Sequence, residues 1–470
     1  MIRNDHQKPM KNFLIMLFAS VILFSCKKNT DEILNPGTPN VPSNPTTPTG
    51  NSADIMKDSA LSISRNYYLW SDKLPSALSG NTFSDIKAVM EGIRPYSQEP
   101  GFPGAVDRWS FAMKQSEWNQ MAGGTASTFA GTSAAGDFGI TVFFRAEGDL
   151  RIRHAEPYSP AGRAGIRRGW KVIQINGNSN ITTSNSNFIV NSLYGASSVN
   201  MVLQKHDGTS ASVSLQAGHY QEKPVYLDSV YNINGKKIGY MVFNSFLGNT
   251  SLIQQDFARV FNRFAGNGVN DIVVDLRYNG GGYVSLQESL ANYIAPASAN
   301  GQVMMRQIYN NRHSNQNVTT TFRKAGSVNL PDVYFIVGRS TASASELLIN
   351  NLRPYMNVHL IGGTTHGKPV GYFPIPVADW YVFPVSFRTT NKNGEGNYFN
   401  GFPVNSAVQD GLDKDWGDVN EASLASAIRH ITTGSYGREV PYSEPTGVAV
   451  GNEVLDRQML KVTIDTKMVF

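Results

Sequence analysis

Two loops carry residue types suited to nucleophilic chemistry. Ser340, Thr341, Ser343 and Ser345 lie in the first; His366 and Lys368 lie in the second. A serine hydroxyl is a weak nucleophile until a base takes its proton, and an unprotonated lysine is one such base. Apolar neighbours such as Val358, Leu360 and Ile361 favour the neutral amine, because burial disfavours the ammonium. A third stretch, Arg277-Tyr278-Asn279-Gly280-Gly281-Gly282, offers glycine N–H groups that can approach a developing oxyanion closely. Each piece alone has a plainer reading. Ser343 or Ser345 can be a helix cap, the glycines a turn, and Lys368 a solvated loop lysine. His366 offers a Ser/His pair instead, but no carboxylate is clearly placed to orient it. The phosphate-binding pattern GxxxxGK[ST] is absent.

The surrounding elements explain how these loops meet. Val333–Val337 is a short apolar run bounded by Gly338 and reads as a buried strand. Glu346–Leu352 reads as a helix stopped by Pro354, and Val358–Ile361 as a second buried strand. Strand–helix–strand units are normally parallel with right-handed crossovers, so both loops leave strand carboxyl ends on one rim. That rim is where open α/β sheets place ligands. Asp271–Leu276 is another buried strand and opens directly into the glycine loop. Lys237–Phe243 and Tyr381–Phe387 read as strands, and Leu252–Phe264, Tyr283–Ile294 and Asn420–Ile431 as helices. Together they predict an α/β core over 224–431 with a mixed sheet. Residues 432–470 carry no readable pattern.

Upstream, 53–122 reads as a small helical region with helical spacing at Asp58–Tyr68 and Phe83–Ile93. Aromatic clusters at Tyr67–Trp70 and Trp109–Phe111 read as core. Residues 123–135 are small and polar, a linker. Phe138–Phe144 and Leu150–Arg153 have strand texture. Composition, 41% hydrophobic and 16% charged, is that of a globular chain of two to four domains. The net charge of +5, without a basic cluster backed by stacking aromatics, gives no reason to expect nucleic acid.

The amino-terminal stretch reads as export. Arg3, Lys8 and Lys11 precede an apolar run, Phe13–Phe24, too short for an ordinary spanning helix. The run ends Leu23-Phe24-Ser25-Cys26, and Cys26 is the only cysteine of the chain. This resembles the bacterial lipoprotein signal and implies removal of 1–25 and lipidation of Cys26. Residues 26–52 are rich in Pro, Thr and Asn and read as a tether. The expected location is the bacterial cell envelope, anchored on the periplasmic face of a membrane or at the cell surface. With a lone cysteine there is no internal disulfide.

Residues 136–218 resemble a PDZ domain. Ser159–Gly177 has its short helix, Gly turn, strand and Asn-Gly hairpin, with a second helix expected near Thr183–Leu193 and a last strand near Ser212–Leu215. The resemblance implies that Phe138, Gly139 and Ile140 form a loop for a peptide's carboxylate, with the peptide added to a sheet edge. The order PDZ, Asp-Leu-Arg-x-Asn-x-Gly-Gly, Ser-Ala-Ser-Glu and Gly-Lys resembles the C-terminal processing peptidases (tail-specific proteases) over about 52–431. Asp107-Arg108-Trp109-Ser110 also falls where that family has an Asp-x-x-Ser element. By this resemblance Ser343 is the nucleophile and Lys368 the general base. The N–H of Ala344, with Gly281 or Gly282, forms the oxyanion hole. Family members often carry a glutamine four residues after the lysine to orient the amine; here that residue is Tyr372. Pro369 and Gly280 also depart from the usual pattern.

The resemblance implies a lipid-anchored serine endopeptidase cleaving proteins or peptides near their C-termini through an acyl-enzyme, with no metal or organic cofactor. A catalytically idle peptide-binding lipoprotein and an esterase using the same Ser/Lys chemistry are the alternatives. Substrate identity and oligomeric state are not legible.

Overall fold

The computed structural model describes residues 52–124 and 137–437, together with Asn452. The expected signal peptide, Cys26 and the expected tether up to residue 51 lie outside the described residues, as do most of the expected linker and of the carboxyl-terminal stretch.

The centre is a six-stranded sheet in the order Ser406–Ala407, Asn357–Gly362, Asp332–Val337, Asp271–Asp275, Lys236–Phe243, Val225–Ile233. All neighbours are parallel except the last pair, which is an antiparallel hairpin. The mixed sheet and its crossovers follow the expected pattern. Strand side chains alternate between two cores, as the period-2 pleat requires. Met241, Phe243, Val274, Phe335 and Val337 face one side, under the helices Thr250–Gly266, Val284–Ile294 and Ala344–Leu352. Tyr240, Val242, Val273, Tyr334 and Ile336 face the other, under Ala422–Thr433. Cover on both faces explains the unbroken apolar runs of these strands. The helix Thr250–Gly266 starts where Asn249 accepts from the Leu252 N–H at 3.2 Å. It buries Ile253, Phe257, Val260, Phe261 and Phe264 along one stripe. Each such side chain contributes about 1.5–3 kcal/mol of burial.

The amino-terminal region is not a helical unit with its own core. Its helices Ser52–Tyr67 and Ile86–Ile93 share a core with Val370, Phe373, Ile375, Val382 and Phe387. It also supplies a strand, Phe111–Lys114, which pairs antiparallel with Trp380–Phe383. The single strand expected over 381–387 is broken: Trp380–Phe383 belongs to a three-stranded sheet and Phe387–Thr390 to a four-stranded one. Pro384, with no N–H to give to a ladder, stands at the switch. Val303–Tyr309, Val318–Thr321 and Val225–Ile233 are strands without a clear sequence signal.

Residues 137–218 form an antiparallel five-stranded sheet in sequential order, Ile140–Ala146, Asp149–Ala155, Lys171–Ile175, Ser198–Gln204 and Ser210–Gln216. A short helix, Pro160–Arg163, and a longer one, Ser186–Tyr194, close its core. Asn176 and Gly177 take φ of 49° and 81°, the conformation of the expected hairpin turn.

Candidate active site

Three parallel strand ends put three loops on one rim, and hydrogen bonds stitch those loops together. The Asn279 carbonyl accepts from the Ala342 N–H at 3.1 Å and from Ser345 Oγ at 3.0 Å. The Leu276 carbonyl accepts from Thr341 Oγ1 at 2.8 Å. The His366 N–H donates to the Thr341 carbonyl at 2.9 Å. Ser345 and Asn279 are fully buried and act as stitches; Ser343 is half-buried.

Ser343 ends the turn from strand to helix with φ 53° and ψ −116°. A non-glycine residue in that region costs roughly 1–3 kcal/mol and persists only where its surroundings dictate it. Here the surroundings centre on Glu346. Its carboxylate is 0% exposed and accepts four donors. Oε2 takes the Ser343 N–H at 3.1 Å and the Lys368 N–H at 2.8 Å. Oε1 takes the Gly367 N–H and Thr365 Oγ1, each at 2.6 Å. One oxygen atom thus joins the backbones of the serine and lysine loops. Burial raises the Glu346 pKa, and these hydrogen bonds oppose that rise. Four donors on two oxygens suit the ionised, acceptor-only form.

Lys368 is 2% exposed. Burial holds its amine well below the ordinary 10.5, against the opposing pull of Asp107 and Glu346. Its Nζ donates to Tyr372 Oη at 3.1 Å and lies 4.1 Å from the centre of that ring. Tyr372 packs edge-on against the stacked pair Phe111 and Phe383, and burial, then Asp107, pushes its phenol up. Asp107 is itself fixed: its carboxylate accepts from Tyr68 Oη at 2.9 Å, the N–H groups of Trp109 and Ser110, and Ser110 Oγ.

His366 is no base for Ser343. Its Nε2 accepts from Trp109 Nε1 at 3.2 Å, and its pKa is pushed down to about 4 by burial, with Arg108 and Lys368 adding to the effect. Burial and the Arg108 guanidinium thus disfavour the imidazolium that a base at this position would have to form.

Of the two glycines expected as oxyanion donors, Gly281 gives its N–H to Asn279 Oδ1 at 2.9 Å. That leaves the N–H of Gly282 as the glycine candidate. Gly281 matters in another way. With φ +105°, a Cβ there would lie 2.8 Å from Ala344 N and 2.9 Å from Ser343 Cβ. The absent side chain keeps open the space before the Ala344 N–H. That N–H opens the helix Ala344–Leu352 and has no carbonyl four residues back within it. The arrangement suits acyl transfer: a hydroxyl on a strained turn, a buried amine whose pKa burial lowers, and backbone donors at a positive helix end.

The base of the glycine loop is an ionic array. Arg277 bonds Asp275, Glu421 (2.8 and 3.0 Å) and Asp410 (3.2 Å). Asp410 also takes Tyr278 Oη and Arg168 of the five-stranded domain. Phe138, Gly139 and Ile140 open that domain's first strand: Gly139 has φ +72°, and its carbonyl accepts from the Glu156 N–H at 2.7 Å. Among the described residues no group of three or more His, Cys, Asp or Glu side chains converges as a metal site. Glu346 and Asn279 stand in motifs quoted from the sequence but have no role of their own there, and Tyr68 reads as core. Only Glu346 leaves a local signal, the Ser-x-x-Glu spacing of a capping box at a strand-to-helix turn.

Residues 237–401 match the description of peptidase family S41. This segment is a peptidase family S41 domain. The chain is 27% identical over 280 residues to the carboxy-terminal processing protease CtpB of Bacillus subtilis, covering 58% of this chain and 54% of that protein. It is 26% identical over 223 residues to CtpA of the same organism, covering 47% and 45%. The chain spans about half the length of these curated relatives. A solved structure named as an S41 protease of Bacteroides fragilis aligns with a TM-score of 0.64 at 24% identity, covering 80% of this chain and 97% of that one. The S41 domain thus contains both Ser343 and Lys368, while Asp107 and Tyr68 reach the site from outside it.

Glu346→Gln should destabilise the fold by about 2–4 kcal/mol in urea titration, because its NH₂ would face buried N–H donors. Lys368 gives a signed pH dependence. Between its lowered folded pKa and the ordinary 10.5, the unfolded chain binds a proton that the folded chain does not, so stability rises with pH. Lys368→Met abolishes that dependence. By calorimetry it should melt above wild type near neutrality, with the gap shrinking as the pH approaches 10.5. A constant gap would mean that the amine is charged in the fold.

Proposed function

We propose that this protein is a serine endopeptidase that cleaves proteins or peptides near their C-termini through a Ser343/Lys368 dyad. The observation that carries the reading is the shared Glu346 oxygen, which ties a strained serine to a buried lysine of depressed pKa. In the proposed reaction the Lys368 amine takes the Ser343 proton as Oγ attacks the scissile carbonyl. The oxyanion is held by the N–H groups of Ala344 and the glycine loop. Lys368 returns the proton to the leaving amine, and water then releases the acyl group from Ser343. Tyr372 orients the amine in the place where related enzymes often carry glutamine. The likeness to carboxy-terminal processing proteases supports peptide tails as substrate, and the five-stranded domain is read as a PDZ-like module presenting such a tail at Phe138–Ile140.

The same reading makes the chain a bacterial envelope lipoprotein. Its support is the basic stretch, short apolar run and Cys26 in series, followed by a Pro/Thr/Asn-rich tether.

A fluorophosphonate probe should label wild type, with labelling lost in Ser343→Ala and cut by roughly 10³-fold or more in Lys368→Ala. Labelling of wild type that is unchanged in both variants would sink the dyad. Turnover of an unfolded protein measured beside simple esters separates peptidase from esterase. Cys26→Ser should move the protein from the membrane to the soluble fraction of fractionated cells; continued membrane association would count against lipidation.

A further inference from the structure

The strand Ile140–Ala146 is at the end of the five-stranded sheet and, among the strands of the described residues, pairs only with Asp149–Ala155. Its other side is the edge to which a peptide strand would add. That edge is already in use. The Val142 N–H donates to Tyr194 Oη at 3.1 Å, from the last residue of the helix Ser186–Tyr194. Phe144 is held at both of its backbone groups by one distant side chain. Its N–H donates to Asn452 Oδ1 at 2.7 Å, and its carbonyl accepts from Asn452 Nδ2 at 2.8 Å. Asn452 is 3% exposed.

A neighbouring antiparallel strand offers one acceptor and one donor to each hydrogen-bonded residue. A carboxamide aimed at a single residue offers the same pair. The Asn452 amide therefore stands where the backbone of an added strand would be. Sheet edges are commonly blunted by charge, proline or covering loops. A neutral amide that copies strand pairing is a different device, because a peptide can replace it with equivalent bonds.

We infer that the Asn452 carboxamide is a built-in ligand of the protein's own peptide-binding edge, capping Phe144 at rest and yielding to substrate. The inference rests on the reading of this domain as peptide-presenting. It also adds a length requirement. Asn452 supplies two bonds at one position, and a peptide whose carboxylate sits at Phe138–Ile140 must extend as far as Phe144 to replace them. Peptides that stop short do not compete with the cap.

The test uses the full chain carrying Ser343→Ala to prevent turnover, and a fluorescein-labelled decapeptide with a free carboxylate. Asn452→Ala should speed hydrogen exchange of the Phe144 amide roughly tenfold and tighten decapeptide binding by a similar factor. Amides of the helix Thr250–Gly266 should exchange as before, which excludes general destabilisation. Asn452→Asp keeps the acceptor, loses the donor and should fall between. A tripeptide should bind no more tightly to the variant than to the parent. Equal Phe144 exchange in parent and Asn452→Ala would overturn the cap. Faster exchange with equal or weaker decapeptide binding would overturn the competition. If no version binds the decapeptide, the peptide-presenting reading falls and the competition with it, while Phe144 exchange still decides whether the cap exists.

Discussion

Glu346 occupies the third position of its helix, fully buried, with four donors around two oxygens. An ionised carboxylate in that place is tolerable only because each lone-pair direction meets an N–H or O–H and because the positive end of the helix lies behind it. The consequence is geometric. Two loops from different strands are fixed to one atom, so the separation of Ser343 and Lys368 does not depend on their own flexible side chains. The Ser343 N–H, on a backbone with φ 53°, donates to the same carboxylate.

A second constraint follows from charge. Lys368 lies near two carboxylates, Asp107 and Glu346, which favour an ammonium, yet burial prevails. Both carboxylates are already saturated by local donors. Asp107 serves Tyr68, Ser110 and the Trp109 backbone; Glu346 serves the loop backbones and Thr365. Little of their charge is left to stabilise an ammonium, and Nζ donates to the phenol of Tyr372. A lysine can lie beside acid groups and still have its pKa lowered by burial when those groups face other donors. Asp107 is carried to this place by the amino-terminal region, which shares an apolar core with residues 370–399.

The parts of this arrangement legible in the sequence were those with a local pattern. The buried strands 271–275, 332–337 and 357–362 announced themselves as apolar runs, and the parallel crossover rule then brought Ser343, Lys368 and the glycine loop to one rim. What was not legible depended on contacts between distant segments. Nothing near Asp107 says that it approaches Lys368. Nothing in Gly280-Gly281-Gly282 says which N–H turns to Asn279. The break at Pro384 was missed because the apolar run continues through it while the chain changes sheets. Val225–Ile233 pairs only at the rim of its sheet and is half exposed for most of its length, so its pattern is weak.

The array around Asp410 joins these levels. Burial alone would raise its pKa, but Arg168 and Arg277 hold it below the ordinary carboxylate range. Asp410 is thus the anionic link between a guanidinium of the five-stranded domain and the first residue of the glycine loop, with Tyr278 as a third partner. Buried ion pairs of this kind contribute less to net stability than to fixing one arrangement over others, since taking charges out of water offsets most of their attraction. Apolar residues in the same places would hold two surfaces together without fixing their register. The guanidinium forks allow few orientations, so the start of the loop that carries Gly281 and Gly282 is aligned against a residue of the neighbouring domain. The start of the glycine loop is therefore held by the six-stranded sheet on one side and by Arg168 of the five-stranded domain, through Asp410, on the other.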